Sequence, residues 1–272
     1  MPGLNPPQRE AVHYLDGPLL VLAGAGSGKT RVITQKIAYL IEECSIQPHH
    51  IAAITFTNKA AREMQERIGK RLPGRPLEGL TVSTFHALGA RILRQEAKQC
   101  GLKPNFSILD ASDSAGIVGE LLRNADKAQI RAVQSRISMW KNSLLMPEAA
   151  LEVAQDALER GAARLFAEYE RTLRAYQAVD FDDLIRLPAL LFESDAEVLS
   201  RWQGRLRYLL VDEYQDTNRC QYQMLKSLAG PRAAFTAVGD DDQSIYAWRG
   251  ADVENLNTLK EDFPQLKVIK LE

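Results

Sequence analysis

Cysteine is scarce in this chain. Cys44, Cys100 and Cys220 are the only three in 272 residues, odd in number, far apart and in no C-x-x-C spacing. That excludes a disulfide scaffold or a cysteine-built zinc framework and points to free thiols in a reducing compartment. Long apolar runs are missing too. Stretches such as Leu19-Leu20-Val21-Leu22-Ala23 fall far short of the ~18 residues that a membrane-spanning helix needs. The first twelve residues hold three prolines and no apolar core of a secretory signal. The expectation is a soluble, cytoplasmic protein with no membrane partner. Excess charge of one sign is also absent: 34 Lys+Arg face 35 Asp+Glu, a formal charge of −1. Bulk attraction to nucleic acid is thereby excluded, and any nucleic-acid site has to be built locally.

What is present is ordinary globular composition, 45 % hydrophobic and 25 % charged, in a length that suits one large domain or two small ones. The first third alternates short apolar runs with helical patterns. Strands are expected at 19–23, 51–56 and 80–85, with helices over 30–43 and 58–71 between them. Strands buried on both faces and alternating with helices indicate a parallel α/β sheet. From His86 to about Gln203 the rhythm becomes helical. Ile130, Val133, Ile137 and Trp140 stand at helical spacing, as do Leu165, Phe166, Tyr169, Leu173 and Tyr176, and no strand is expected there. Strand character returns at 208–211, 233–238 and 268–271. The fold class read from this is α/β, a parallel sheet flanked by helices with an inserted α-helical subdomain. The expected division is 1–86 with 204–272 for the sheet domain and 87–203 for the insertion.

Ala23, Gly24, Ala25, Gly26, Ser27, Gly28, Lys29 and Thr30 lie between the first strand and the first long helix, where a phosphate-binding loop belongs. Glycines let successive backbone N–H groups turn inward around phosphate oxygens, and the helix N-terminus adds partial positive charge. Lys29 is placed to reach the β- and γ-phosphates, and the Thr30 hydroxyl to ligate Mg²⁺. Ala23 stands where the strict G-x-x-x-x-G-K-[ST] pattern has glycine, a small residue for a small one.

A second acidic element completes such a site. The strand at 208–211 runs into Asp212 and Glu213, two carboxylates at the carboxyl edge of the sheet. Asp212 fits Mg²⁺ binding, usually through water, and Glu213 fits the base that activates an attacking water. A dedicated water base indicates hydrolysis of a nucleoside triphosphate, ATP, rather than transfer to a small acceptor. The strand at 233–238 also ends in polar residues, among them Gln243, whose amide suits a γ-phosphate or the lytic water.

With these residues stand Leu4-Asn5-Pro6-Pro7-Gln8, Thr55-Phe56-Thr57-Asn58-Lys59-Ala60-Ala61, Val211-Asp212-Glu213-Tyr214-Gln215-Asp216-Thr217 and the segment from Val238 to Ala251. In that order, over most of the chain, the set resembles superfamily 1 DNA helicases of the Rep/UvrD/PcrA type. The resemblance implies a RecA-like ATP-binding fold and ATP-driven 3′→5′ translocation on single-stranded DNA, with unwinding at single-strand/duplex junctions. It also implies replication or repair protein partners. It makes Gln8 the adenine-reading glutamine, Arg31 the arginine against the adenine ring, and Gln243 the γ-phosphate sensor.

The DNA face follows from both readings. Residues 56–75 hold Lys59, Arg62, Arg67, Lys70, Arg71 and Arg75 against Glu63 and Glu66, a local excess of four positive charges. Beside them stand Phe56, Thr57, Asn58, Thr84, Phe85 and His86 at strand ends, and Tyr246, Trp248 and Arg249 after Gln243. Single strands are held by aromatic faces under bases and by donors on phosphates, and the resemblance gives Phe56, Asn58, His86, Tyr246 and Trp248 such roles. Phe85 fits a core position as well as a contact. Gln243 and Trp248 are close in sequence, so a γ-phosphate contact and a DNA stack would share one short segment.

The chain stops at Lys270-Leu271-Glu272, where the resembling helicases continue into a second RecA-like domain. The expectation is a monomeric N-terminal ATP-binding part that hydrolyses ATP poorly alone. Two other classes share these motifs: the motor portion of a recombination helicase–nuclease, and a non-motor nucleotide-binding scaffold.

Overall fold

A computed structural model describes residues 3–240 and 253–272. In chain order the elements are α1 (Pro6–His13), β1 (Leu19–Ala23), α2 (Lys29–Glu42), β2 (Ile51–Thr55), α3 (Asn58–Arg71), β3 (Thr81–Thr84) and α4 (Phe85–Gln95). There follow β4 (Ser107–Leu109), α5 (Ala111–Leu122), α6 (Lys127–Asn142), α7 (Pro147–Val153), α8 (Ala157–Ala175), β5 (Ala178–Asp180), α9 (Asp183–Ser194) and α10 (Ala196–Arg205). The last are β6 (Tyr208–Val211), α11 (Arg219–Ala229), β7 (Phe235–Asp240), α12 (Val253–Asp262) and β8 (Lys267–Leu271). The chain divides into two compact units, 1–85 with 199–217 and 228–272, and 86–198 with 218–227.

The first unit is built on a six-stranded sheet of order β3-β2-β6-β7-β1-β8, and every strand pair in it is parallel. Its central strands are apolar because both faces are covered: Leu19, Leu20, Val21, Ala53, Ile54 and Leu210 are buried. Helix α2 turns Val32, Ile33, Ile37 and Leu40 onto the sheet. Helix α3 turns only Ala61, Met64 and Ile68 inward, leaving its charged side to solvent as helical periodicity dictates.

Strand β7 runs two residues further than the 233–238 expected from the apolar run, and Asp240 ends it opposite Ala23 of β1. The carboxyl ends of β6, β7 and β1, which are neighbours in the sheet, therefore deliver Asp212, Asp240 and the 24–28 loop to one edge. This is the side on which open parallel sheets bind ligands.

The second unit is mainly helical, with a core of Val118, Val133, Ile137, Trp140, Phe166, Tyr169 and Leu173. The Trp140 and Phe166 rings stack at 6.0 Å. Contrary to the sequence expectation of no strand in this region, β4 and β5 pair in parallel through Ser107–Ala178, Ile108–Val179 and Leu109–Asp180. Each has three residues, too few to register as a period-two pattern. Two charged side chains, Lys141 and Asp183, lie fully buried beneath them. Among the described residues no helix is long and apolar enough to cross a membrane.

Candidate functional site

The phosphate loop takes its shape from backbone that most residues avoid. Gly26 (φ 78°) and Gly28 (φ 85°) are left-handed, where a Cβ is strongly disfavoured. At Gly28 a Cβ would also stand 2.7 Å from Nε2 of Gln8. Ser27 closes the turn by donating from its N–H (3.2 Å) and its hydroxyl (2.5 Å) to the Gly24 carbonyl. Helix α2 then begins at Lys29 with no side-chain cap and no acidic residue in its first turn. Its leading N–H groups and dipole are thus left for an anion.

Gln8 borders this loop. Asn5 and Gln8 form a capping box at the start of α1, in which the Gln8 Oε1 accepts from the Asn5 N–H at 3.0 Å. The Gln8 Nε2 donates to the Ser27 carbonyl at 2.9 Å. Just before α1, Gly3 lies so close to Arg31 that a Cβ would come within 2.5 Å of its guanidinium. The two residues expected at the nucleotide base thus both border the phosphate loop at Gly28.

Lys29 is 15 % exposed and lies 3.7 Å from the Asp240 carboxylate. At the end of β6, Asp212 is 8 % exposed, and its Oδ1 accepts from the Glu213 N–H at 2.9 Å. Burial, and after it the charge of Glu213, raises the Asp212 pKa; the Glu213 N–H and Lys29 pull the other way. Glu213 itself has φ 50°, a conformation that costs a non-glycine residue energy and clusters at functional sites. Its Oε2 accepts from Nε2 of Gln215 at 2.5 Å, and the Gln215 Oε1 accepts from the Asp240 N–H at 3.0 Å. Gln215 therefore ties Glu213 to the end of β7. Neither Gln215 nor Asp240 carried an expected role. Their signal in the sequence is only that each follows an apolar strand run ending in acid.

Mg²⁺ takes hard oxygen donors, keeps several waters and needs only one or two protein ligands beside phosphate. The Asp212 carboxyl and Thr30 hydroxyl are such donors. Among the described residues, Asp212, Glu213 and Asp216 bring carboxylate charge to the Lys29–Asp240 pair, and the Asp216 pKa too is raised, by burial first and then by Glu213 and Asp240. A divalent cation fits this surplus of negative charge. No cluster of three or more His, Cys, Asp or Glu side chains able to cage a metal occurs among the described residues.

The expected DNA contacts divide. Asn58 and Thr57 are exposed at the start of α3, where the Thr57 hydroxyl caps the helix through the Ala60 N–H at 3.1 Å. Phe56 is half-buried. Phe85, however, is 1 % exposed and Thr84 7 %, because strand β3 ends at Thr84 and the first residue of α4 turns into the core. The Phe85 ring lies 5.2 Å from that of Phe56, so it backs Phe56 and offers no face to a base. Of the six cations of residues 56–75, Arg71 and Arg75 pair with Glu42 at 3.0 and 3.7 Å. Lys59 pairs with Glu63 at 4.0 Å but stays exposed, as do Arg62, Arg67 and Lys70.

In the second unit His86 is half-buried, its ring 6.2 Å from that of Phe181. Burial lowers its pKa, with Asp182 opposing. Gln243, Tyr246, Trp248 and Arg249 lie outside the described residues.

Comparison with known proteins places the chain in a family. The UvrD/REP helicase N-terminal domain matches residues 4–264. ATP-dependent DNA helicase Rep of Escherichia coli is 54 % identical over 272 residues, 99 % of this chain and 40 % of that protein. The Rep helicase of Salmonella typhimurium is 53 % identical over the same shares. ATP-dependent DNA helicase PcrA of Bacillus subtilis is 47 % identical over 99 % of this chain and 37 % of its own length. The chain thus spans about two fifths of these relatives.

Proposed function

Because the chain belongs to the UvrD/REP helicase N-terminal domain family, we propose that it is the ATP-binding motor part of a DNA helicase. Hydrolysis of ATP here drives 3′→5′ movement along single-stranded DNA and separation of strands at a duplex junction. The observation that carries this reading is the meeting of the phosphate loop, Asp212, Glu213 and Asp240 at adjacent strand ends.

The N–H groups of residues 24–28 and the α2 N-terminus receive the β- and γ-phosphates, and Lys29 exchanges Asp240 for phosphate oxygen. Thr30 and, through water, Asp212 hold Mg²⁺, which when bound neutralises phosphate charge and polarises the γ-phosphoryl group. Glu213, aimed by Gln215, accepts the proton of the water whose oxygen attacks the γ-phosphorus. Gln8 and Arg31 border the adenine, and Gln243 senses the γ-phosphate. Phe56, Thr57, Asn58 and His86 contact the strand with Tyr246, Trp248 and Arg249, while Phe85 supports Phe56 from behind.

Tryptophan fluorescence tests the DNA half. Trp140 and Trp202 are buried, so quenching on addition of poly-dT reports Trp248, and Trp248→Phe should remove it. An unquenched chain that also binds no ATP would contradict the motor reading.

A further inference from the structure

Lys36 stands two turns into α2, fully buried, in a position the chemistry above does not use. Its Nζ donates to the carbonyls of Ala11 at 2.9 Å and Tyr14 at 2.7 Å. These belong to the last turn of α1 and its C-cap, where a helix has no backbone partners of its own to offer. Helix α1 has neither lysine nor arginine in that turn. Burying an amine is costly unless its protons are used, and here they are used on the backbone of another helix. Burial pushes the Lys36 pKa down to about 7; charged or neutral, the amine has protons for both carbonyls.

The other end of α1 is Gln8, whose Nε2 holds the Ser27 carbonyl of the phosphate loop. An eight-residue helix is about 12 Å long. Tied at one end to α2 and at the other to the loop, it turns any lift of its C-terminal end into a displacement of Gln8.

We propose that Lys36 is a positioning residue for the base end of the nucleotide site: by holding the last turn of α1 on α2 it fixes Gln8 against the phosphate loop, and so sets the preference for ATP over a bare triphosphate chain. The inference rests on the reading that Gln8 and Arg31 border the adenine. A residue needed only for folding would weaken both ligands alike, because the phosphate loop and Lys29 serve both.

The test is calorimetric titration of the chain, of Lys36→Met and of Lys36→Gln with ATP and with inorganic tripolyphosphate, each with Mg²⁺. Lys36→Met keeps the buried stem and leaves both carbonyls without a donor. It should weaken ATP by about tenfold while tripolyphosphate stays within about twofold, and Lys36→Gln, which retains a donor, should recover part of the loss. An unchanged ratio of the two affinities, or an equal loss of both, would overturn the proposal. If Lys36→Met does not fold, the same ratio in Lys36→Gln decides it. Failure of the unaltered chain to bind ATP would overturn the nucleotide reading itself, and this inference with it.

Discussion

The two units of the chain use charge in opposite ways. At the sheet edge of the first, Lys29 faces Asp240 while Asp212, Glu213 and Asp216 add negative charge with no further lysine or arginine paired to them among the contacts described. In the core of the second, Lys141 contacts Glu170, Asp180 and Asp183 at 2.8 to 3.0 Å, and Arg186 contacts Glu170 and Asp183 at 2.9 and 3.3 Å. The Tyr169 hydroxyl donates to Asp180 and shares a hydrogen bond with Ser114. Burial works against ionisation of Asp183, but Lys141 and Arg186 outweigh it and hold its carboxyl below the usual carboxylate range. The first arrangement is unbalanced and suits an incoming cation and anion. The second is nearly self-neutralised, and serves to lock α6, α8, β5 and α9 together. Under the proposed function, similar side chains carry chemistry in one unit and architecture in the other.

The largest effect is expected at Lys141. Lys141→Met leaves Asp180, Asp183 and Glu170 in the core without that cation and should destabilise the chain by about 3–5 kcal/mol, read from urea unfolding. At the sheet edge, removing charge should do the reverse. Glu213→Gln relieves repulsion on Asp212, so stability holds or rises, while any ATP hydrolysis by the chain falls by roughly 10²–10⁴ with the loss of the base. A destabilised Glu213→Gln would erase the contrast.

Gln215→Leu sharpens it further, since the glutamine orients Glu213 without touching phosphate. Hydrolysis should drop by about tenfold with ATP affinity kept, the scale expected for a lost charged hydrogen bond. The smallest effect concerns His86. Its pKa lies below the usual histidine value, so the folded state binds fewer protons than the unfolded chain between that lowered value and the usual one. Stability should fall as pH drops through this window and then level off. His86→Asn should flatten that part of the profile in thermal melts.

The sequence made the local features legible. A strand, a glycine loop, Gly-Lys-Thr and a helix are contiguous, so the phosphate loop and strand β1 could be read directly, and Asp212–Glu213 directly follows its strand. Contacts made across the fold could not be read. Asp240 meets Lys29 only because β7 lies beside β1 and extends past its apolar run. Lys141 meets Asp183 from 42 positions away, and a lysine in a helix otherwise reads as solvent-facing. Phe85 fits a strand end or a core equally well until α4 is seen to begin at it.

Under the proposed function, Mg²⁺ and nucleotide complete the carboxylates of the sheet edge. The most direct test is the affinity of the chain for ATP with and without Mg²⁺, measured in the unaltered protein, Asp212→Asn and Lys29→Ala. Mg²⁺ should tighten ATP by about tenfold or more in the unaltered chain, Asp212→Asn should lose that gain, and Lys29→Ala should lose binding in both conditions. Equal affinity with and without Mg²⁺, or tight binding by Lys29→Ala, would contradict the account.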